Sequence, residues 1–210
     1  MGDHHPEAGG GLAAGQRAAL ARLVALACLG QGARLAEAAV ACRASGVPDA
    51  AVREALRQLV PYAGFPRALT ALGALQSAGV LPPTLPEAPE PDEAARRGAG
   101  RVAFEGVYGD TAERVRAGLA RLDPLLPAWT EDFAYGRVIA RPCLSLADRE
   151  VLAVAALAAL GGMPDPLLGH LRGALRLGVD REALAGVVAA LPHEVPARAR
   201  AEAEALLSRL

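Results

Sequence analysis

The sequence has few of the residues that build β-sheets. Phe, Trp and Tyr together make up 3% of the 210 residues, and isoleucine occurs once, as Ile139. Alanine and leucine dominate instead; both favour helices, whereas aromatic and β-branched residues favour strands. The composition therefore predicts an all-α fold.

Lysine and asparagine are absent, so all 22 basic residues are arginines. We interpret this as a bias of genome composition rather than as a functional signal. The formal net charge is −1, and this argues against a nucleic-acid partner because nucleic-acid-binding proteins carry a basic surplus. No run of 18 or more apolar residues lacks a charge, so we expect no transmembrane span and no membrane partner.

Cysteine is also scarce, with Cys28, Cys42 and Cys143 as the three examples. They form neither a CxxC pair nor a zinc-binding pattern, so we expect no disulfide framework and no metal site. Packing in the apolar interior is the expected role of each thiol. Residues 1–14 lack the hydrophobic core of a signal peptide, which predicts a disordered N-terminus and a cytoplasmic protein.

Two helical blocks rich in Ala, Leu and Arg flank a proline-rich segment. The first block covers residues 15–80 and the second covers residues 101–210, including the helices that precede its repeat-like part. Between them, residues 81–100 are predicted to be a linker, because the prolines prevent a continuous helix. These prolines are Pro82, Pro83, Pro86, Pro89 and Pro91.

The two blocks align without a gap for about 40 residues when one is shifted by 132 positions. Arg17 then falls on Arg149, and the pairs Gly30–Gly162 and Gly46–Gly178 also coincide. Coincident glycines at two breaks are hard to attribute to chance similarity of Ala/Leu-rich helices. The sequence therefore predicts an internal duplication.

Each block is predicted to contain three or four helices joined by short breaks. In the second block, Ser145 and Asp180 are the predicted caps of helices that run to Leu160 and Ala190, with a helix from Pro164 to Gly178 between them. A last helix covers residues 196–210. The first block repeats this pattern with helices predicted at residues 17–28, 33–45, 49–60 and 66–78.

Several segments resemble the carboxymuconolactone decarboxylase family, which includes the alkylhydroperoxidase D-like proteins. The resemblance is carried by Tyr135–Val138, Arg141–Pro142, Leu144–Arg149 and Leu167–Ala174, and by residues 59–67 of the first block, LVPYAGFPR, which are similar to the family's YAG-x-P element. It implies an all-helical fold of the alkylhydroperoxidase D-like type. It also implies ring-like assembly, so that a chain with two family-like halves forms a homotrimer with six pseudo-equivalent units.

The hydroperoxidase branch of this family uses a CxxC pair followed by a histidine four residues later. The resemblance aligns that histidine with His170 and places the two thiols at Met163 and Pro166. In the first block, the corresponding positions are Gln31, Arg34 and Ala38. Thiol-dependent redox chemistry is therefore disfavoured, although Cys143 beside Arg141 is a candidate for a lowered thiol pKa.

The decarboxylase branch keeps the histidine without the thiols, and it needs no cofactor. By this resemblance, His170 is the candidate acid or base, with Glu150 to orient it or relay its proton. Arg149 and Arg141 are candidates for binding the carboxylates of a small acidic substrate, because the guanidinium group matches a carboxylate geometrically. Ion pairing within the protein is the alternative for both arginines.

Two tyrosines complete the predicted site. Tyr62 belongs to the YAG element that only the first half keeps, whereas His170 occurs only in the second half, so the halves are predicted to contribute to one pocket. Tyr135 is a second candidate substrate contact, with packing as its alternative. The function predicted is cofactor-independent decarboxylation of an acidic lactone in aromatic catabolism; a redox protein and a non-catalytic oligomeric binding protein are the alternatives.

Overall fold

The structure, a computed structural model, describes residues 11–87 and 89–210. Most of the predicted disordered N-terminus, residues 1–14, lies outside the described residues. Its last residues are ordered, which corrects that boundary. The amide of Leu12 donates to the carboxylate of Asp148 at 3.2 Å, and a helix begins at Ala14.

Within the described residues the chain is all-helical, as predicted, and contains no strand. The helices are α1 (Ala14–Leu29), α2 (Gly32–Ala44), α3 (Asp49–Arg57), α4 (Val60–Ser77), α5 (Glu93–Tyr108), α6 (Ala112–Leu122), α7 (Leu126–Ala128), α8 (Leu146–Leu160), α9 (Pro164–Arg176), α10 (Arg181–Ala189) and α11 (Ala197–Ser208). A 3₁₀ turn (Gly109–Thr111) joins α5 to α6, and a π-helix (Trp129–Ile139) follows α7. No helix in residues 11–87 and 89–210 is long and apolar enough to cross a membrane.

Polar caps begin two helices of the second block where they were predicted. At the start of α8, the hydroxyl of Ser145 accepts a hydrogen bond from the amide of Asp148 at 3.1 Å. At the start of α10, the carboxylate of Asp180 accepts one from the amide of Ala183 at 2.6 Å. Each cap satisfies an amide that the helix itself leaves unpaired.

The predicted linker at residues 81–100 is shorter in the structure. Helix α5 begins at Glu93, since the carboxylate of Asp92 caps the amide of Ala95 at 2.8 Å. Pro91 is the last proline of this segment, so no proline interrupts the helix that begins two residues later. The non-helical part is therefore confined to the segment that contains the prolines.

Helices α1 and α8 lie against each other in the larger hydrophobic core. All of α8 from Asp148 to Ala159 is buried, and so is most of α1 from Leu20 to Cys28. Helix α2 packs on α1 in the way that α9 packs on α8. A helix that is apolar on all sides is expected at the centre of such a bundle.

The helix bounds repeat with the same shift of 132 positions as the sequence. Adding 132 to the bounds of α2 (32–44) and α3 (49–57) gives 164–176 and 181–189, which are the bounds of α9 and α10. Gly46 and Gly178, which end α2 and α9, have φ angles of 84° and 87°. This left-handed conformation favours glycine because a side chain would clash there. The two halves therefore share one helical frame.

Helix α4 departs from the prediction that a helix runs through Val60 and the next begins at Pro66. Helix α3 ends at Arg57, and α4 is kinked at Gly64, where φ is 80° and ψ is 166°. The break lies at Gly64, whose positive φ favours glycine, and Pro66 then stands in the first turn of the helical segment after the kink, where its missing amide hydrogen is not needed. The kink leaves Tyr62 on a separate first turn.

Helix α5 and the π-helix form a second, smaller core. Their backbones approach so closely that a Cβ atom on Gly100 would lie only 2.8 Å from the Cα atom of Gly136. Phe104 and Tyr135 are buried in this core, with ring centroids 5.1 Å apart. The glycine contact thus fixes the position of Tyr135.

Candidate active site

A buried acid–base pair joins α8 to α9. The Nδ1 atom of His170 lies 2.9 Å from the Oε2 atom of Glu150. Glu150 is fully buried, and His170 is 8% exposed. With Nδ1 donating to the carboxylate, the imidazole is held in one orientation and Nε2 is left to exchange a proton with another molecule.

A glycine makes room for this pair. Gly173 lies one helical turn after His170 on α9, and a Cβ atom at this position would lie 2.5 Å from the Oε2 atom of Glu150 and 2.8 Å from Val107. Such distances are shorter than non-bonded atoms tolerate. Glycine at position 173 is therefore required by the place of the glutamate.

Tyr62 brings the first half of the chain to the pair. Its ring packs edge-on against the imidazole of His170, with centroids 5.4 Å apart and an interplanar angle of 74°. The turn before the Gly64 kink carries this residue, as described above. The structure therefore brings a residue of the first half into contact with a residue of the second half. That the two halves contribute to one site stays a prediction.

The other two tyrosines also lie near Glu150. Tyr135 of the π-helix and Tyr108 of α5 have ring centroids 6.2 Å apart. Burial raises the pKa of all three tyrosines, and the nearby Glu150 carboxylate raises each further. The three hydroxyls therefore keep their protons well above neutral pH and can act as hydrogen-bond donors.

Two buried polar atoms of this site have no hydrogen-bond partner within the described part of the chain. They are the Oε1 atom of Glu150 and the hydroxyl of Tyr135. Buried polar atoms are nearly always paired in proteins, and an unpaired one costs about 1–3 kcal/mol. The acid–base pair therefore has unused hydrogen-bonding capacity beside it.

Residues 124–206 match the model of the carboxymuconolactone decarboxylase family. The matched segment contains Tyr135, Glu150 and His170, and it supports the family resemblance stated above for this part of the chain. One family domain is detected, so the match does not extend to a tandem pair.

A curated relative covers a larger part of the sequence. Over 140 residues, or 62% of its length, this chain is 32% identical to Peroxisomal protein 2 of Schizosaccharomyces pombe. The alignment covers 62% of that protein. The chain thus spans less than two thirds of the length of this relative.

The structure places the side chain of Arg149 away from the acid–base pair, although Arg149 directly precedes Glu150 on α8. Arg149 is fully buried, and its guanidinium group lies 3.1 Å from the Glu54 carboxylate and 3.2 Å from the side-chain oxygen of Gln58. Gln58 in turn donates to the backbone oxygen of Arg149 at 2.7 Å. This arginine ties α8 to α3, and it leaves no room for a substrate carboxylate.

Arg141 belongs to the same ion-pair network. It lies 3.0 Å from Glu54 and 3.2 Å from Glu87, and it also pairs with Glu90. Burial raises the pKa of Glu54, but its arginine partners Arg57, Arg149 and Arg141 outweigh burial and lower it overall. Neither of the arginines predicted to bind substrate contacts His170.

The thiols give no redox pair. Burial raises the pKa of Cys28 and of Cys42 to about 12, and the structure holds all three cysteines as free thiols. Cys143 is exposed rather than packed, and the lowered pKa considered for it is wrong. Partial burial, followed by the charge of Glu54, raises the pKa of this thiol.

Sequence reasoning missed Tyr108. No motif marks it, but the chain contains only three tyrosines, and all three surround Glu150. In a sequence so poor in aromatic residues, each tyrosine could have been treated as a candidate site residue.

Proposed function

We propose that this chain is a carboxymuconolactone decarboxylase-like enzyme that decarboxylates a small acidic lactone without a cofactor, in the catabolism of aromatic compounds. The observation that carries the proposal is the buried contact of 2.9 Å between His170 and Glu150. The family match over residues 124–206 supports the same class of protein. The absence of a CxxC pair from the sequence favours proton-transfer over thiol chemistry.

The reaction proposed is the loss of a carboxylate next to a conjugated carbonyl. The bond from the ring carbon to the carboxylate breaks, carbon dioxide leaves, and the electron pair passes into the carbonyl as an extended enolate. His170 then gives a proton to carbon, and solvent replaces this proton. One proton is therefore taken up for each molecule of carbon dioxide released.

The remaining groups of the site would stabilise the enolate. Tyr62 and Tyr135 keep their protons, as their raised pKa values require, and a hydroxyl donor placed beside a developing negative charge lowers the barrier. Arg149 and Arg141 are engaged by Glu54 and take no part in this proposal.

The test is loss of γ-carboxymuconolactone, followed by ultraviolet absorbance, for the wild type and His170→Gln. His193→Gln is the matched control, because its side chain is 80% exposed and lies in the turn before α11. We expect turnover by the wild type and the control, and its loss in folded His170→Gln. Equal turnover by both variants contradicts the proposed role of His170. No turnover by the wild type excludes this lactone as the substrate and favours another lactone or a binding role.

We propose that the two halves arose by duplication, although one family domain is detected. The shared helix bounds and the matched φ angles of Gly46 and Gly178 support this origin. On this view the first half lost the histidine, which is Ala38 there, and kept Tyr62. The second half lost the tyrosine, which is Glu194 there, and kept His170.

We also propose that the chain forms a homotrimer, a pseudo-hexamer of such halves. Phe65, Leu69 and Trp129 are 58%, 66% and 62% exposed, and the rings of Phe65 and Phe133 lie 6.3 Å apart. Clustered apolar exposure of this kind is typical of protein interfaces.

Light scattering after size exclusion tests the assembly. We expect three times the chain mass of 21.5 kDa for the wild type, and smaller species for Phe65→Ser combined with Phe133→Ser. A monomeric wild type would contradict the trimer. The cytoplasmic location stays a prediction, which imaging of a tagged chain tests.

A further inference from the structure

A cavity of about 150 Å³ lies between the proline-rich segment, α3, α5 and the π-helix. None of the residues that line it belongs to the group formed by Tyr62, Tyr108, Tyr135, Glu150 and His170. Its polar wall is formed by five arginines and three glutamates. They are Arg53, Arg57, Arg96, Arg137 and Arg141, with Glu54, Glu87 and Glu90.

Arg53 is a buried cation without a carboxylate partner. It is 8% exposed, and its terminal nitrogens donate to the backbone oxygens of Pro82 and Pro83. Its Nε atom is buried and has no hydrogen-bond partner in residues 11–87 and 89–210. A buried charge normally requires a counterion, because burial removes its hydration.

Two further arginines of the wall have no ion pair within the described residues. They are Arg96, which is partly buried at the start of α5, and Arg137, which is exposed on the π-helix. Only Arg57 and Arg141 are neutralised, by the three glutamates. Five guanidinium groups against three carboxylates leave two positive charges in the wall.

Two of the three carboxylates come from the proline-rich segment and face solvent. The side chains of Glu87 and Glu90 are 38% and 61% exposed, whereas that of Glu54 is 6% exposed. Exposed ion pairs are weak, and their partners exchange readily. Glu87 and Glu90 can therefore be displaced from Arg57 and Arg141 by another anion.

We propose that this cavity binds a small organic dicarboxylate. The net excess of two positive charges in the wall matches a dianion, and guanidinium groups bind carboxylates through paired hydrogen bonds. The rest of the wall is apolar, including Leu85, Pro86, Ala99 and Ala140, which suits a carbon skeleton rather than an inorganic ion. A cavity of this volume holds a molecule about the size of benzene, so the ligand is a short-chain diacid.

The site is an additional binding site and is independent of the proposed decarboxylation. It connects to the acid–base pair through one residue, because Glu54 of the cavity wall holds Arg149, the neighbour of Glu150 in α8. The cavity itself contains no histidine. Binding there can therefore be measured without turnover.

Calorimetric titration of the full chain in the His170→Gln background with succinate tests the proposal. We expect saturable binding that succinamide does not reproduce, because the uncharged diamide offers no carboxylate. Arg96→Gln combined with Arg137→Gln is expected to weaken binding at least about tenfold, since it removes two charge-assisted contacts with the ligand. Arg114→Gln, an exposed arginine on α6, is the control and is expected to bind as the parent does.

A second pair of substitutions moves the affinity the other way. Glu87→Gln with Glu90→Gln removes the competing carboxylates and is expected to tighten binding several-fold. A merely structural cavity would show neither change. No saturable binding of succinate, equal binding of inorganic phosphate, or an affinity unchanged by the arginine substitutions would each overturn the proposal.

Discussion

The pair α1–α2 and the pair α8–α9 have the same helical frame but different contents. At the position of Glu150 the first half has Ala18, and at the position of His170 it has the buried Ala38. The first half instead supplies Tyr62, through the kinked α4, to the site built by the second half. The frame therefore sets where helices lie, and individual substitutions set which half carries the chemistry.

The aligned arginines show the same difference at the level of ion pairs. Arg17 lies 2.7 Å from Asp148, with its side chain 19% exposed, whereas the fully buried Arg149 lies 3.1 Å from Glu54. Both tie one half to the other. Breaking the pair of Arg149 and Glu54 is expected to cost more stability than breaking the pair of Arg17 and Asp148. Arg149 and Glu54 are buried, so water cannot hydrate the charge that remains.

The largest effect is expected when the acid–base pair is broken from its carboxylate side. Glu150→Gln should lower kcat by about 10²–10⁴, which is the usual contribution of general acid–base groups. Combining it with His170→Gln should cost little more, since the two residues act as one unit. Steady-state kinetics of the single and double variants measure this, and additive losses would show that the residues act separately.

The next effect concerns stability and compares the two arginines. Arg149→Met is expected to lower the free energy of unfolding by about 2–3 kcal/mol, because the buried side-chain oxygen of Gln58 loses its partner and Glu54 keeps only its partly exposed partners Arg57 and Arg141. Arg17→Met should cost about 1 kcal/mol, since Arg17 is partly exposed and Asp148 keeps the amide of Leu12. Urea unfolding of both variants gives the two values, and equal losses would contradict the comparison.

A smaller effect is expected at Gly173, whose aligned position in the first half is Ala41. Gly173→Ala should cost about 1–3 kcal/mol of stability through overpacking and should lower activity by displacing Glu150. Gly169→Ala on the same helix is the control, because its Cβ atom would lie 4.0 Å from the nearest atom, in Tyr108. Equal melting temperatures and equal activities of the two variants would show that the position of Glu150 does not depend on Gly173.

The smallest effect tests the contribution of the first half. Tyr62→Phe keeps the ring contact with His170 but removes the hydroxyl. We expect kcat to fall about five- to tenfold, which corresponds to one hydrogen bond of about 1–1.4 kcal/mol. Wild-type kinetics and ligand affinity in this variant would mean that the first half only packs against the site.

Local signals allowed much of the fold to be predicted, and long-range contacts limited the rest. Capping by Ser145 and Asp180 and the breaks at Gly46 and Gly178 depend on neighbours in sequence, so the sequence predicted them. The partner of Arg149 lies 95 positions away, at Glu54, and no local pattern identifies it. The sequence therefore left Arg149 as either a substrate contact or a member of an ion pair within the protein, and the structure shows the ion pair.

The candidate site shows the same limit. His170 and Glu150 were predicted through the family resemblance, and their contact depends on how α8 crosses α9. Tyr108 was missed because it reaches the site only through the packing of α5 on the π-helix, which glycines at positions 100 and 136 permit. Such close backbone contacts leave no periodic signal in the sequence.

The distribution of aromatic residues gives the protein two separate optical reporters. All three tyrosines lie around Glu150, whereas the single tryptophan, Trp129, is 62% exposed on the π-helix. The tyrosine bands of the ultraviolet difference spectrum should therefore shift when a ligand enters the site. Trp129 emission should instead move towards the blue when that surface is covered by another molecule, so one unlabelled sample can distinguish occupancy from assembly.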